Sequence, residues 1–181
     1  MNEKVKKEII SWGKSIMIAA FVAIICRTFL FSPTTVHGES MSPTFHDMDK
    51  ILLSKVSGIQ RFDMVVFQAP DAKEQYIKRV IGLPGDKIEM KDDVLYINGE
   101  VLTEPYLDNL KERNGGHKLT GDFTLRELTG EEVVPTNHVF VLGDNRLVSH
   151  DSRYFGFITM DSIIGEVKFR FYPLQHVGLP E

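Results

Sequence analysis

The chain has 181 residues, enough for one domain of ordinary size plus an appendage. With 43% apolar and 25% charged residues it has the composition of a folded protein, and a net charge of −4 argues against a nucleic-acid binder. Cys26 is the one cysteine, which excludes an intramolecular disulfide and any Cys/His zinc spacing.

In chain order, the first element is apolar. Ser15 to Cys26 carries no charge, Arg27 interrupts, and Thr28 to Phe31 resumes before Pro33 closes any helix. Residues 15–31 are a marginal membrane span. Arg27 can snorkel at one end, and Trp12 suits the interface at the other. A buried core helix and a cleaved leader compete with this reading, but Phe29-Leu30-Phe31-Ser32-Pro33 is a poor small-residue cleavage site. As an anchor, the segment leaves residues 1–14 as a cytoplasmic tail, because Lys4, Lys6, Lys7 and Lys14 outnumber Glu3 and Glu8. Residues 32–181 then form an extracytoplasmic domain.

Short β-type runs punctuated by turns dominate that domain, so the expected fold is a compact, mainly antiparallel β unit. Thr34 to Val36, Asp49 to Ser54, Met64 to Phe67 and Tyr76 to Ile81 read as extended or as strands. Val94 to Ile97 and Glu100 to Leu102 flank Asn98-Gly99, which supplies both positive-φ positions of a type I′ hairpin turn. His138 to Leu142 is a buried-looking strand. In the run Ile163 to Tyr172, alternation puts Val167, Phe169 and Phe171 on one face. Residues 107–132 are polar and contain Asn114-Gly115-Gly116, the composition of a surface insertion.

Three stretches carry possible chemistry. Ser40 sits in a turn bounded by Gly38 and Pro43; alone it is an ordinary turn serine with a local hydrogen bond. Lys78 lies inside an apolar run, Ile77 before it and Val80-Ile81 after. On a solvated strand face it is an unremarkable surface lysine; buried, it loses solvation, its pKa falls, and it can accept a proton. Gly143 to Arg153 places Asp144, Arg146, Asp151 and Arg153 around turn-forming residues, as a charge-bonded loop supporting a site or as a structural loop only.

Gly-Glu-Ser40-Met41-x-Pro43-Thr44, Gln60-Arg61-Phe62-Asp63-Met64-Val65-Val66-Phe67, Tyr76-Ile77-Lys78-Arg79-Val-Ile-Gly-Leu-Pro-Gly-Asp86 and Gly143-Asp144-Asn145-Arg146 with Ser149 and Asp151-Ser152-Arg153 resemble the ordered boxes of bacterial type I signal peptidases. The single N-terminal anchor and short chain resemble the Gram-positive form. The resemblance implies a membrane-bound serine endopeptidase acting on signal peptides of exported preproteins. It implies Ser40 as nucleophile, Lys78 as general base, Ser149 as the hydroxyl that orients the amine, and Arg79, Asp144, Arg146, Asp151 and Arg153 as supports. Val36, Met41 and Ile77 would line shallow pockets for small side chains, and Thr34 to Val36 would pair with substrate as an added strand. Some members carry a serine two residues before the nucleophile that helps bind the oxyanion; here Gly38 stands there, which shifts that role toward the Ser40 backbone N–H.

Other constellations compete. His37 and His150 adjoin the boxes, so a histidine-based mechanism is an alternative. Ser11-Trp12-Gly13-Lys14 matches a Ser-x-x-Lys pattern without its companion motifs. Asp144 and Asp151 lack the close spacing of a calcium loop, and no metal or cofactor is expected. Membrane lipid is an expected partner and nucleic acid is not; oligomeric state has no signal in the sequence. A related Ser/Lys self-cleaving protease and a non-enzymatic anchored β-domain that binds exported chains are the remaining alternatives.

Overall fold

A computed structural model describes residues 3–179. Met1, Asn2, Pro180 and Glu181, the extremes of the predicted tail and folded domain, lie outside the described residues. Helix α1 (Glu3–Ile25) starts well ahead of the apolar run, and one wider turn, Cys26–Leu30, carries the chain into the first strand. Within it, Lys6–Leu30 is long and apolar enough to cross a membrane, and none of it is buried against the rest of the protein. Ile16, Met17, Ile18, Phe21 and Ile24 all stand more than 60% exposed, so the described residues supply no apolar cover for them. A core helix would look otherwise.

The remainder is β-rich, as expected. One sheet has seven strands in the order β1 (Phe31–Thr35), β2 (Lys50–Ser54), β11 (Ile163–Tyr172), β3 (Met64–Gln68), β4 (Gln75–Gly82), β9 (His138–Leu142) and β10 (Ile158–Thr159). A second has four, in the order β7 (Glu100–Leu102), β6 (Val94–Ile97), β5 (Ile88–Lys91) and β8 (Phe123–Thr124). Every strand pairing is antiparallel. The β6–β7 hairpin turns at Asn98 and Gly99 with φ of 56° and 85°, as a type I′ turn requires.

Strand β4 decides where the site sits. It lies in the interior of the large sheet between β3 and β9, and both of its faces are covered. Ile77 joins Val36, Met41, Phe45, Ile51 and Val66 on one side. Val80 packs with Val65, Phe67, Val139 and Val141 on the other. Ile81, Phe140 and Leu142 join the second sheet through Ile88, Met90, Leu95 and Ile97. Alternation alone would leave one face of β4 wet; here its Lys78 and Arg79 are each only 3% exposed.

Two expectations meet a different outcome. In β11 the pairing with β2 slips between Val167 and Phe169 and again between Arg170 and Tyr172. Such bulges break period-two alternation, so Val167 is buried while Phe169 and Phe171 reach the surface. Residues 107–132, expected as a surface insertion, are only half that. Helix α2 (Asp108–Arg113) is polar and outward, but Leu119, Phe123 and Leu125 are buried, and β8 adds a strand beside β5. Single apolar residues spaced among polar ones give no periodic signal, yet Phe123 and Leu125 join the core under the second sheet. Helix α3 (Leu125–Thr129) is started by a capping box between Thr124 and Glu127 and ended by Gly130 at φ 81°.

Candidate active site

Ser40 lies in the connection from β1 to β2. Met41 and Phe45, both with no exposed surface, fix this connection to the core. The Phe45 N–H donates to Met41 O at 2.9 Å, and Val36 and Asp49 close the base of the connection at 2.8 Å. Asn145 ties the turn to the loop after β9: its N–H donates to Ser40 O at 3.0 Å, and its side-chain amide to Glu39 O at 3.1 Å. The Ser40 N–H itself makes no hydrogen bond among the described residues.

Lys78 reaches this turn from mid-strand. Its Nζ donates to Ser40 Oγ at 2.8 Å and to Ile77 O at 3.0 Å, with the Tyr76 ring centroid 5.3 Å away. Burial pushes the ammonium down from 10.5 to about 8, while the carboxylates of Asp151 and Asp144 act in the opposite direction. An amine so placed carries a substantial neutral fraction near physiological pH.

The remaining predicted residues converge on one glycine. The Gly143 N–H donates to Asp151 Oδ2 at 3.0 Å, and Gly143 O accepts from Arg146 Nε at 3.1 Å. A Cβ on Gly143 would stand 2.1 Å from Ser149 Oγ and 2.5 Å from Ser40 O, so only glycine allows the two loops to touch. Ser149 is 3% exposed, and its Oγ has no hydrogen-bond partner among the described residues. Asp151 caps helix α4 (Ser152–Phe155) and is clasped by Arg153 at 2.8 and 2.9 Å. Asp144 is held by Arg79 in a two-pronged pair at 2.9 and 2.7 Å, and Thr44 Oγ1 donates to it at 2.5 Å. The chain therefore brings Ser40, Lys78, Arg79, Asp144, Arg146, Ser149, Asp151 and Arg153 into one cluster.

Beside Ser40 and Lys78 lies an open groove of about 770 Å³ whose walls include Thr34, Val36, Tyr76 and Ile77. One wall runs on from β1, an edge strand of the large sheet. Met41 is not part of the lining; it is fully buried beneath the turn and supports it from below.

The two box-adjacent histidines have other partners. His37 lines the same groove as Ser40 but is exposed and 4.0 Å from Asp47. His150 Nε2 lies 2.6 Å from Asp71, and its ring stacks on Tyr154 with centroids 5.2 Å apart. Neither meets Ser40. Sequence reasoning missed Glu104 and Tyr106. Glu104 forms a buried pair with Arg146, and the Tyr106 ring lies 3.9 Å from the Arg79 guanidinium. A glutamate before a proline after a hairpin has no local signature that would have marked it.

Comparison with known proteins finds relatives along most of the chain. The family model described as signal peptidase, peptidase S26, matches residues 9–172. A signal peptidase I of Bacillus caldolyticus is 48% identical over 162 residues, covering 87% of this chain and 88% of the relative. A signal peptidase IB of Staphylococcus aureus (strain COL) is 44% identical over 179 residues, covering 94% and 93%. The crystal structure of a signal peptidase I from Enterococcus faecalis V583 superposes with a TM-score of 0.59 at 46% identity, covering 61% of this chain and 97% of that one.

Proposed function

The chain belongs to the signal peptidase family, peptidase S26, and from that premise we propose a membrane-anchored serine endopeptidase that cuts signal peptides from exported preproteins. Ser40 is the nucleophile and uncharged Lys78 the general base. The observation that carries the assignment is the 2.8 Å contact between Lys78 Nζ and Ser40 Oγ, made by a lysine only 3% exposed. A hydroxyl attacks a carbonyl only when a base within hydrogen-bond reach removes its proton, and a lysine serves only when its pKa has been lowered.

In the reaction, the signal peptide lies extended in the groove, pairing its backbone with Thr34 to Val36 and placing small side chains against Val36 and Ile77. Lys78 takes the Ser40 proton as Oγ attacks the scissile carbonyl. The C–N bond then breaks, the ammonium gives its proton to the leaving amine, and the acyl group stays on Oγ. Water attacks the ester with Lys78 again as base, releasing the peptide carboxylate and the free serine. The Ser40 N–H, without a hydrogen-bond partner among the described residues, points to one oxyanion donor. Ser149 has a buried hydroxyl without a partner among the described residues and the capacity to orient the amine.

Lys6–Leu30 supports an anchor, with the lysine-rich end on the cytoplasmic side and the β domain outside, where signal peptides emerge. The test is cleavage of a preprotein in detergent by wild type, Ser40→Ala and Lys78→Ala. Wild type should release the mature chain and both variants should not; processing by either variant would refute the dyad.

A further inference from the structure

We infer that Glu104, outside every signature box, is a positioning residue for this reaction, holding the Gly143 peptide in place through Arg146. The inference rests on the peptidase reading above and adds to it a residue from the second sheet.

Glu104 follows β7 and is 5% exposed. It forms a buried ion pair with Arg146 through both terminal guanidinium nitrogens, Nη2 to Oε1 and Nη1 to Oε2. Tyr106 closes the set: its hydroxyl donates to Glu104 Oε1 at 2.6 Å and lies 3.2 Å from Arg146 Nη2. Thr120 Oγ1 accepts from Arg146 Nη1 at 3.3 Å. Only Nε of Arg146 faces the site, where it donates to Gly143 O at 3.1 Å. The guanidinium is planar and rigid, so fixing its outer edge with a carboxylate fixes the direction of Nε.

What Nε holds matters because Gly143 has no slack. Its N–H is bonded to Asp151, and its Cα sits where an added methyl would overlap Ser149 Oγ and Ser40 O. A rotation of this peptide pushes on the nucleophile's own carbonyl and on the Ser149 hydroxyl. The same tyrosine carries Arg79 on its ring, and Arg79 holds Asp144, the residue after Gly143. Glu104 and Tyr106 thus restrain the loop at two successive residues. A purely structural ion pair would join the sheets without ending on a peptide packed against Ser40.

The experiment uses the full chain in detergent with a soluble peptide spanning a cleavage site. Glu104→Gln keeps the shape but leaves the Arg146 charge without its partner. Per folded molecule, with the folded fraction taken from urea titration, kcat should fall about 10-fold to 100-fold while KM stays within about twofold. The double variant Glu104→Met, Arg146→Met removes both buried charges; it should recover thermal stability yet retain the loss in kcat, because Gly143 O has lost its donor. A double variant with wild-type kcat would overturn the inference, as would a Glu104→Gln loss confined to KM or equal to the unfolded fraction. A wild-type protein that fails to cut would instead count against the peptidase reading itself.

Discussion

The Lys78 amine should dictate the pH dependence of cleavage, and its surroundings set the size of the effect. Burial brings its pKa to about 8, against 10.5 for a free lysine, with Asp151 and Asp144 opposing the shift. Only the neutral amine can take the Ser40 proton. Its fraction is roughly 1% at pH 6, about 10% at pH 7, half at pH 8 and about 90% at pH 9. The rate constant kcat/KM, which reports the free enzyme, should therefore climb nearly tenfold per pH unit up to about pH 7.5 and level off above pH 8.5. An extended substrate in the groove would shield the amine further from water. The acidic limb of kcat, which reports the complex, should then lie at lower pH than that of kcat/KM. The assay is initial-rate cleavage of a peptide without titrating side chains from pH 6 to 10, with Ser40→Ala as blank. A flat profile between pH 6 and 8 would refute a lysine base. A limb still rising tenfold per unit at pH 10 would refute its burial.

The same shift has a cost in stability, and the sign follows from proton counting. Between pH 8 and 10.5 the unfolded chain binds the lysine proton and the folded one does not, so stability rises with pH across that window; below pH 8 the whole penalty is present. Lys78→Met should thus be inactive yet more stable at pH 7 by on the order of 1 to 3 kcal/mol, a gain that fades toward pH 10.5. Urea unfolding of both proteins at pH 7 and pH 10 checks it, and a less stable variant at pH 7 would contradict it. Gly143→Ala forces a methyl to within 2.1 Å of Ser149 Oγ and 2.5 Å of Ser40 O. We expect kcat to fall by about 100-fold or more, with the fold retained by circular dichroism; a wild-type kcat would show that the two loops do not act through this contact. Removing residues 1–30 should depress processing of a membrane-inserted preprotein more than cleavage of a soluble peptide, because co-location raises the effective concentration. Equal losses would argue against that role for the anchor.

Much of the architecture was legible because its signals are local. Asn98-Gly99 dictates its own turn, and the apolar runs of β3, β4 and β9 belong to strands covered on both faces. The second sheet was half legible. Its hairpin announces itself, but β5 and the two-residue β8 are too short and mixed to show a period. In β11 the bulges defeat a pattern that looked clean. The chemistry divides similarly. The ordered boxes pointed to Ser40 and Lys78, yet no spacing in the chain reveals that the two side chains meet, since they are 38 residues apart and approach only when a loop and an interior strand pack. Glu104 was invisible for the same reason: its partner lies 42 residues later.

A lysine whose pKa is lowered in a cluster rich in carboxylates is a paradox that the arginines help resolve. Asp144, Asp151 and Glu104 are all buried, and any uncompensated negative charge near the amine would keep it protonated. Each carboxylate has its own guanidinium instead: Arg79 for Asp144, Arg153 for Asp151 and Arg146 for Glu104. An arginine stays charged at any working pH, so these pairs counter the acids' pull on the Lys78 proton, although Asp151 and Asp144 still raise its pKa. The amine has no carboxylate within ion-pair distance among the described residues; its polar partners are a hydroxyl and a carbonyl. It is therefore the one buried cation of the cluster that can be neutralised without stranding a partner charge. On this view the supporting arginines need never touch a proton in the reaction. Their part is to offset the acids that position the loop, so that burial outweighs the pull of Asp151 and Asp144 on the Lys78 proton.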